Sequence, residues 1–196
     1  MKFQIEEDCS WRDWFVSIEH QDVTVQQVLD SLKAINNTSY ETPTIVKIVE
    51  NPAYDFPGIE FFSGAVDIKQ HDCIHALLGR GLLAKDEAFV IGFTMGSSNR
   101  VGTIEQTVFG LIAKFLYPKA YQFDEEDLLV FRKAVHLGFV SNCQSLAEVD
   151  YERILEMSLA EARDFVGIEM DLLRAYYRLE QEMYPNTRVS GRLLAD

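Results

Sequence analysis

Along most of the chain the apolar positions return every three or four residues, as Leu128, Phe131, Val135 and Phe139 do, which is the repeat of one face of an α-helix. The polar positions between them carry helix start signals. Thr24 with Gln27, Thr103 with Gln106, Ser145 with Glu148 and Ser158 with Glu161 each place a hydroxyl three residues before a Glu or Gln, the spacing at which the ends of a first turn cap one another. Asp124 is placed to cap the stretch that follows it. Breaks fall at Asn51-Pro52, at Gly79 with Gly81, over 96–102, at Tyr117-Pro118 and at Tyr184-Pro185. The pattern predicts an all-α chain, a single compact helical domain over 1–196 with about six or seven helices, the last and longest running from Leu159 to Glu182.

Strand signals are short. Alternation covers only a few residues of KFQIEE and WFVSIE, which leaves room for a minor N-terminal extended segment. TPTIVKIVENP reads as a helix with Thr42 as its cap and Pro43 at its first position. AYDFPGIEFFSGAVDIKQ has no clean period and reads as a loop leading into the segment beyond it, and the stretch from Asn186 onward is expected to fray.

Composition narrows the classes. With 196 residues, 47% of them hydrophobic, one substantial core can be buried, and no apolar run approaches the roughly 20 residues of a bilayer span. A formal net charge of -13 with no Lys/Arg cluster repels phosphate backbones and argues against nucleic acid as a partner. Cys9, Cys73 and Cys143 are scattered and without CxxC spacing, so they read as small buried hydrophobes and not as a disulfide framework or zinc knuckle. The opening MKFQIEEDCSWRDWF has neither the basic and apolar regions of a signal peptide nor the Arg-rich character of a transit peptide, so the expected location is cytoplasmic.

One stretch carries chemistry. HDCIHALLGRGLLAKDE, residues 71–87, holds two of the four histidines, His71 and His75, four positions apart. On a helix over 66–78 their β-carbons would lie about 5 to 6 Å apart on one face, which suits two imidazoles converging on one ion at bonds of about 2.0 to 2.1 Å. This is the geometry that makes an HExxH helix a zinc binder. Asp72 lies three residues before His75 and flanks the same edge, placed to ligate beside it or to stand over an open coordination position as a base. Asp67, a turn before His71, is a weaker carboxylate at the start of the helix.

Gly79 and Gly81 end that helix and let the chain turn back, and LLAKDEAFVIGF reads as a second, antiparallel helix starting near Asp86 and Glu87, closing a hairpin over 66–95. Glu87 in its first turn would reach His75, with Asp86 as competitor. Two histidines with one or two carboxylates suit zinc as a Lewis acid and equally non-haem iron. Arg80, between the glycines, reads as an anion contact for a phosphate or carboxylate head group or as a turn residue facing solvent. His136 reads as an accessory to the site or as a helical histidine at the core boundary.

His71, Asp72 and His75, followed by eleven residues and Glu87, make an HDxxH-x11-E pattern that resembles the signature of the coenzyme Q biosynthesis protein 4 family. The resemblance covers residues 68 to 95 in detail. It implies an all-helical fold, a divalent ion, zinc or iron, at these four residues, a hydrophobic cavity for a polyprenyl chain, frequent dimers, and a role in ubiquinone synthesis at the membrane surface. The implied activity is that of a lyase removing the ring carboxylate of a polyprenylated hydroxybenzoate. Ahead of the motif only Lys69 stands where the family has a basic and aromatic run, so the match bears more on the metal than on the substrate.

Two other readings fit the same residues. In one, the ion only fixes the hairpin of a non-catalytic isoprenoid carrier or scaffold; a closed four-ligand site favours this, an open one catalysis. In the other, the His71-Asp72 doublet belongs to an HD-type metal-dependent phosphohydrolase, which needs a further upstream histidine, and His20 is the sole candidate.

Overall fold

Thr24 opens the first helix as its spacing predicts: its hydroxyl accepts the Gln27 amide at 3.1 Å and Gln27 Oε1 accepts the Thr24 amide at 3.0 Å. The structure is a computed structural model, and it describes residues 10–38, 68–98 and 123–194. Among these residues the chain is all-α. The helices are α1 Val25–Thr38, α2 Ile68–Leu78, α3 Ala84–Ser97, α4 Glu125–Val140, α5 Leu159–Val166, α6 Met170–Met183 and the short α7 Arg188–Gly191, with a 3-10 turn at Tyr151–Ile154 before α5. No helix among them is long and apolar enough to cross a membrane.

Asp124 and Ser158 cap as expected. Asp124 Oδ1 accepts the Asp127 amide at 2.8 Å and Asp127 Oδ2 returns the bond to the Asp124 amide at 3.1 Å. Ser158 Oγ accepts the Glu161 amide at 3.3 Å, and Glu161 Oε2 accepts the Ser158 amide at 2.9 Å.

Four expectations are corrected. The long helix over 159–182 is two helices, because Gly167 takes a left-handed φ of 76°. The Gly167 amide then bonds the Asp164 carbonyl at 3.0 Å and the Ile168 amide bonds that of Arg163 at 2.8 Å, which closes α5. Ser145 and Glu148 frame only a turn, with the Glu148 amide on the Ser145 carbonyl at 2.9 Å. Ser145 Oγ makes no capping bond, and the turn is fixed instead through Leu146, whose amide bonds Ser97 Oγ at 3.1 Å and whose carbonyl accepts the Tyr151 hydroxyl at 2.7 Å. WFVSIE forms no strand; it runs as irregular backbone through the interior, with Trp14, Val16 and Ile18 buried. The C-terminal stretch is packed through residue 194, with Leu193 fully buried and Ser190 bonded to Glu180. The helix starts at Thr42 and Thr103, the segment KFQIEE, the loop from Ala53 to Asp67 and Asp67 itself lie outside the described residues.

Two packing arrangements position the rest. α3 and α4 touch backbone to backbone: a β-carbon on Gly96 would come within 2.1 Å of the Val135 carbonyl oxygen, and one on Gly138 within 2.3 Å of that of Phe93. α2 is fixed at its C-terminal end. Gly79, at φ 64°, lets the Arg80 amide bond the His75 carbonyl at 3.0 Å. Distant side chains meet the other carbonyls: Arg163 donates to Leu77 at 2.9 Å and to Ala76, which also accepts the Gly79 amide, at 3.3 Å, and the Tyr177 hydroxyl donates to Leu78. Buried Arg163 also donates to the Ile18 and His20 carbonyls at 2.7 and 3.0 Å, so one guanidinium ties the entry segment to α2.

Gly96→Leu is expected to cost at least about 2 kcal/mol in urea unfolding, because the facing group is backbone that cannot rotate away. Gly191→Ala, with nothing within 4 Å of the added carbon, should stay within about 0.5 kcal/mol of the parent chain. Equal stability of the two variants would contradict the close α3–α4 contact.

Candidate metal centre

The centre is built from α2 and the first turn of α3, joined by residues 79–83. α3 begins at Ala84, two residues earlier than expected, and Asp86 helps start it by accepting the Leu83 amide at 3.3 Å. Lys85, Asp86 and Glu87 follow in succession, and all three are buried. Successive helical residues point about 100° apart, so each meets a different partner. Lys85 Nζ lies 2.6 Å from Glu126 Oε2 and 3.9 Å from the centre of the Tyr184 ring. Asp86 Oδ2 accepts from Arg192 at 2.5 Å, and Oδ1 lies 3.9 Å from Arg80. Glu87 alone faces the histidines.

Three donor groups converge. His71 Nε2 is 3.1 Å from Glu87 Oε2, His75 Nε2 is 3.3 Å from Glu87 Oε1, and the two Nε2 atoms are 2.9 Å apart. Among the described residues, His71, His75 and Glu87 are the one group of three or more His, Cys, Asp or Glu side chains with ligand atoms all within 4.8 Å of one another. Bonds of about 2.0 to 2.1 Å at angles between octahedral and tetrahedral separate neighbouring donors by about 2.9 to 3.4 Å, the range seen here.

The hydrogen-bond chemistry points the same way. His75 Nδ1 lies 2.7 Å from the Gly81 carbonyl oxygen, which can only accept, so Nδ1 carries the proton and neutral His75 presents a lone pair at Nε2. That lone pair meets Glu87 Oε1, a buried oxygen with no hydrogen-bond donor. Lone pairs so close repel unless a second imidazole proton or a metal cation lies between them. The donor set, two imidazoles and a carboxylate, therefore fits a divalent ion.

Charge on these groups is strongly coupled. Burial alone would raise the Glu87 carboxyl, but the His75 and His71 rings beside it hold it down to about 2. Burial opposes charge on His75 as well, and the Glu87 carboxylate, with further help from Asp72 and Asp86, raises it above its ordinary value.

The remaining predicted residues fall as follows. Asp72 is half-buried on α2, outside the convergent group, though its charge reaches His75. Arg80 is neither a solvent-facing turn residue nor open to a head group: it is fully buried, donates to both carboxylate oxygens of Glu180 at 3.0 and 2.6 Å, and lies over the adjoining Phe89 and Tyr177 rings at 3.9 and 4.4 Å. Its anion is an internal one. His136 is exposed on α4, and His20 is not among the convergent donors. The Gly81 carbonyl and Arg192 were not anticipated. In the sequence Gly81 signals only a break, and Arg192 is 106 residues from Asp86, beyond any local signal.

Comparison with protein families, with curated proteins and with solved structures finds no match to this chain. Among the described residues the chain is an all-α protein in which two histidines and one carboxylate could hold a metal ion.

The metal-free pair has a pH signature. Glu87, lowered from an ordinary 4.5 to about 2, contributes stability that is whole above 4.5 and is lost as pH falls toward 2. His75, raised from 6.5, contributes stability that is whole below 6.5 and is lost as pH rises through its folded value. Glu87→Gln should cost about 2 kcal/mol in the window between, with the gap to the parent chain narrowing on both sides in urea titrations stepped through pH. A gap that does not vary with pH would remove this pair from the account.

Proposed function

We propose that the chain holds a divalent ion, zinc or iron, through His71, His75 and Glu87, and that this centre acts on or holds a polyprenylated aromatic acid of the hydroxybenzoate type. The observation that carries the metal is the set of donor separations, together with the Glu87 oxygen that faces a lone pair. The substrate class rests on the HDxxH-x11-E spacing alone.

Exposure suggests the side from which a ligand approaches. The His71 side chain is 19% exposed, against 0% for His75 and 1% for Glu87, so the centre is closed on the inner face and reaches solvent along His71. Three protein donors leave a position for substrate or water, the arrangement of catalytic centres. A bound ion supplies Lewis-acid chemistry, holding a phenolate or carboxylate oxygen and stabilising negative charge there. The chain's own part is to orient and to exclude water: Gly81 fixes the His75 ring, and the His75 and His71 rings hold Glu87 ionised against the opposing effect of its burial. Asp72, whose charge already reaches His75, serves either as a fourth donor or as a base over the open position. The scaffold reading is favoured by the two fully enclosed donors, and the coordination number separates the two, four protein donors meaning a structural ion and three a reactive one.

Purified protein should carry a stoichiometric amount of zinc or iron by elemental analysis, and an isoprenoid should be found by mass spectrometry of the co-purifying lipid. His71→Ala and Glu87→Ala should each strip the ion while the helical circular dichroism persists. Full metal content in both variants would dismiss these donors; metal without any lipid would leave the centre and discard the substrate.

A further inference from the structure

The C-terminal turn reaches the metal centre by two independent routes. Along the first, Arg192 Nη2 bonds Asp86 Oδ2 at 2.5 Å, and Asp86 is the residue before Glu87 and the acceptor that starts α3. The same guanidinium packs against Gly81, where a β-carbon would come within 2.2 Å of Nη2 and 2.7 Å of the Trp14 carbonyl oxygen. Gly81 is the residue whose carbonyl orients His75. Along the second route, Ser190 Oγ donates to Glu180 Oε1 at 3.1 Å, Glu180 holds Arg80, and the Arg80 amide bonds the His75 carbonyl at 3.0 Å. Fully buried Leu193 and the stacking of Arg192 on the Phe15 ring, at 4.8 Å, keep the turn in place.

We infer that Arg192 is a positioning residue of the metal centre, setting Glu87 through Asp86 and the His75 ring through Gly81. The inference rests on the metal reading above. It adds that the centre is completed by a segment 106 residues beyond the carboxylate's helical turn, so that its affinity and geometry depend on the last helical turn of the described chain. Outer partners of ligands act in this way, typically altering metal affinity by about 10- to 100-fold.

Co²⁺ serves as the probe, because its visible d–d bands report coordination geometry. The full chain is titrated with Co²⁺ against a competing chelator, far below the unfolding temperature. Arg192→Ala should bind about 10- to 100-fold more weakly, with shifted d–d bands. Arg192→Lys, which keeps the charge but loses the fork, should recover part of the affinity. Arg188→Ala removes an exposed pair with Asp13 in the same turn and should leave both readouts at the parent values. A merely structural role for Arg192 would lower the unfolding midpoint but leave the affinity and spectrum of the folded protein unchanged, and that result overturns the inference. Should Arg192→Ala not fold, Arg192→Lys decides: parent affinity and bands overturn the inference, and weaker binding with altered bands supports it. A parent chain that takes up no Co²⁺ overturns the metal reading and this inference with it, whereas binding that is indifferent to Arg192 overturns this inference alone.

Discussion

Burial of three consecutive charges in the first turn of α3 is the constraint that organises this molecule. Lys85, Asp86 and Glu87 are all removed from solvent, and an ionised group in the interior is tolerated only when it is paired and hydrogen-bonded. Each takes its partner from a different region: Glu126 on α4, Arg192 beyond α7, and His71 and His75 on α2. The hairpin, the neighbouring helix and the C-terminal turn must therefore all arrive for the three charges to be satisfied together. That requirement ties distant segments into one interior. It also explains why the helix does not rely on a hydroxyl at its start, since Asp86 accepts the Leu83 amide.

A second set of contacts braces the histidine helix from its other end. The C-terminal carbonyls of α2 would be unpaired in the interior, and they are met by Arg163 from α5 and Tyr177 from α6. Burial lowers Arg163 to about 10, which still leaves it charged at neutral pH. Arg80 next in line is held differently: burial opposes its charge, but Glu180 more than compensates and its pKa rises. It is held in the fork of that carboxylate and packed over two adjoining aromatic rings. The histidine pair thus sits on a helix whose exit is over-determined, and the turn through Gly79 and Gly81 has little freedom to carry His75 away from Glu87.

What could be read from the sequence was what local geometry decides. His71 and His75 share a face because four residues make about one helical turn, and Glu87 falls near them because two glycines bring the next helix straight back. The capping pairs at Thr24, Asp124 and Ser158 lie within a single turn, so neighbouring residues alone settle them. The failures have the opposite character. Apolar residues continue past Gly167 with little change of period, so the break between α5 and α6 is set by one left-handed residue and not by the pattern. Ser145 has the right spacing for a cap, but Leu146 is claimed by Ser97 and Tyr151. Arg80 and Arg192 find their carboxylates 100 and 106 residues away, and no spacing rule announces a pairing at that range.

The donor arrangement could hold a divalent ion as well as protons. One proton on His71 Nε2 can be shared with Glu87 Oε2 or with His75 Nε2, but not with both in good geometry, and it leaves Glu87 Oε1 facing the His75 lone pair at 3.3 Å. A second proton on the histidines also relieves that contact: burial opposes the charge it puts on His75, but the Glu87 carboxylate more than compensates and His75 is raised above its ordinary value. A single divalent charge meets all the lone pairs at once without moving the Gly81 bond, because that bond already commits the His75 proton to Nδ1. The Gly81 carbonyl thus does more than position a ring: by choosing the tautomer it turns the Nε2 lone pair of neutral His75 toward Glu87 and His71, where a cation could be held.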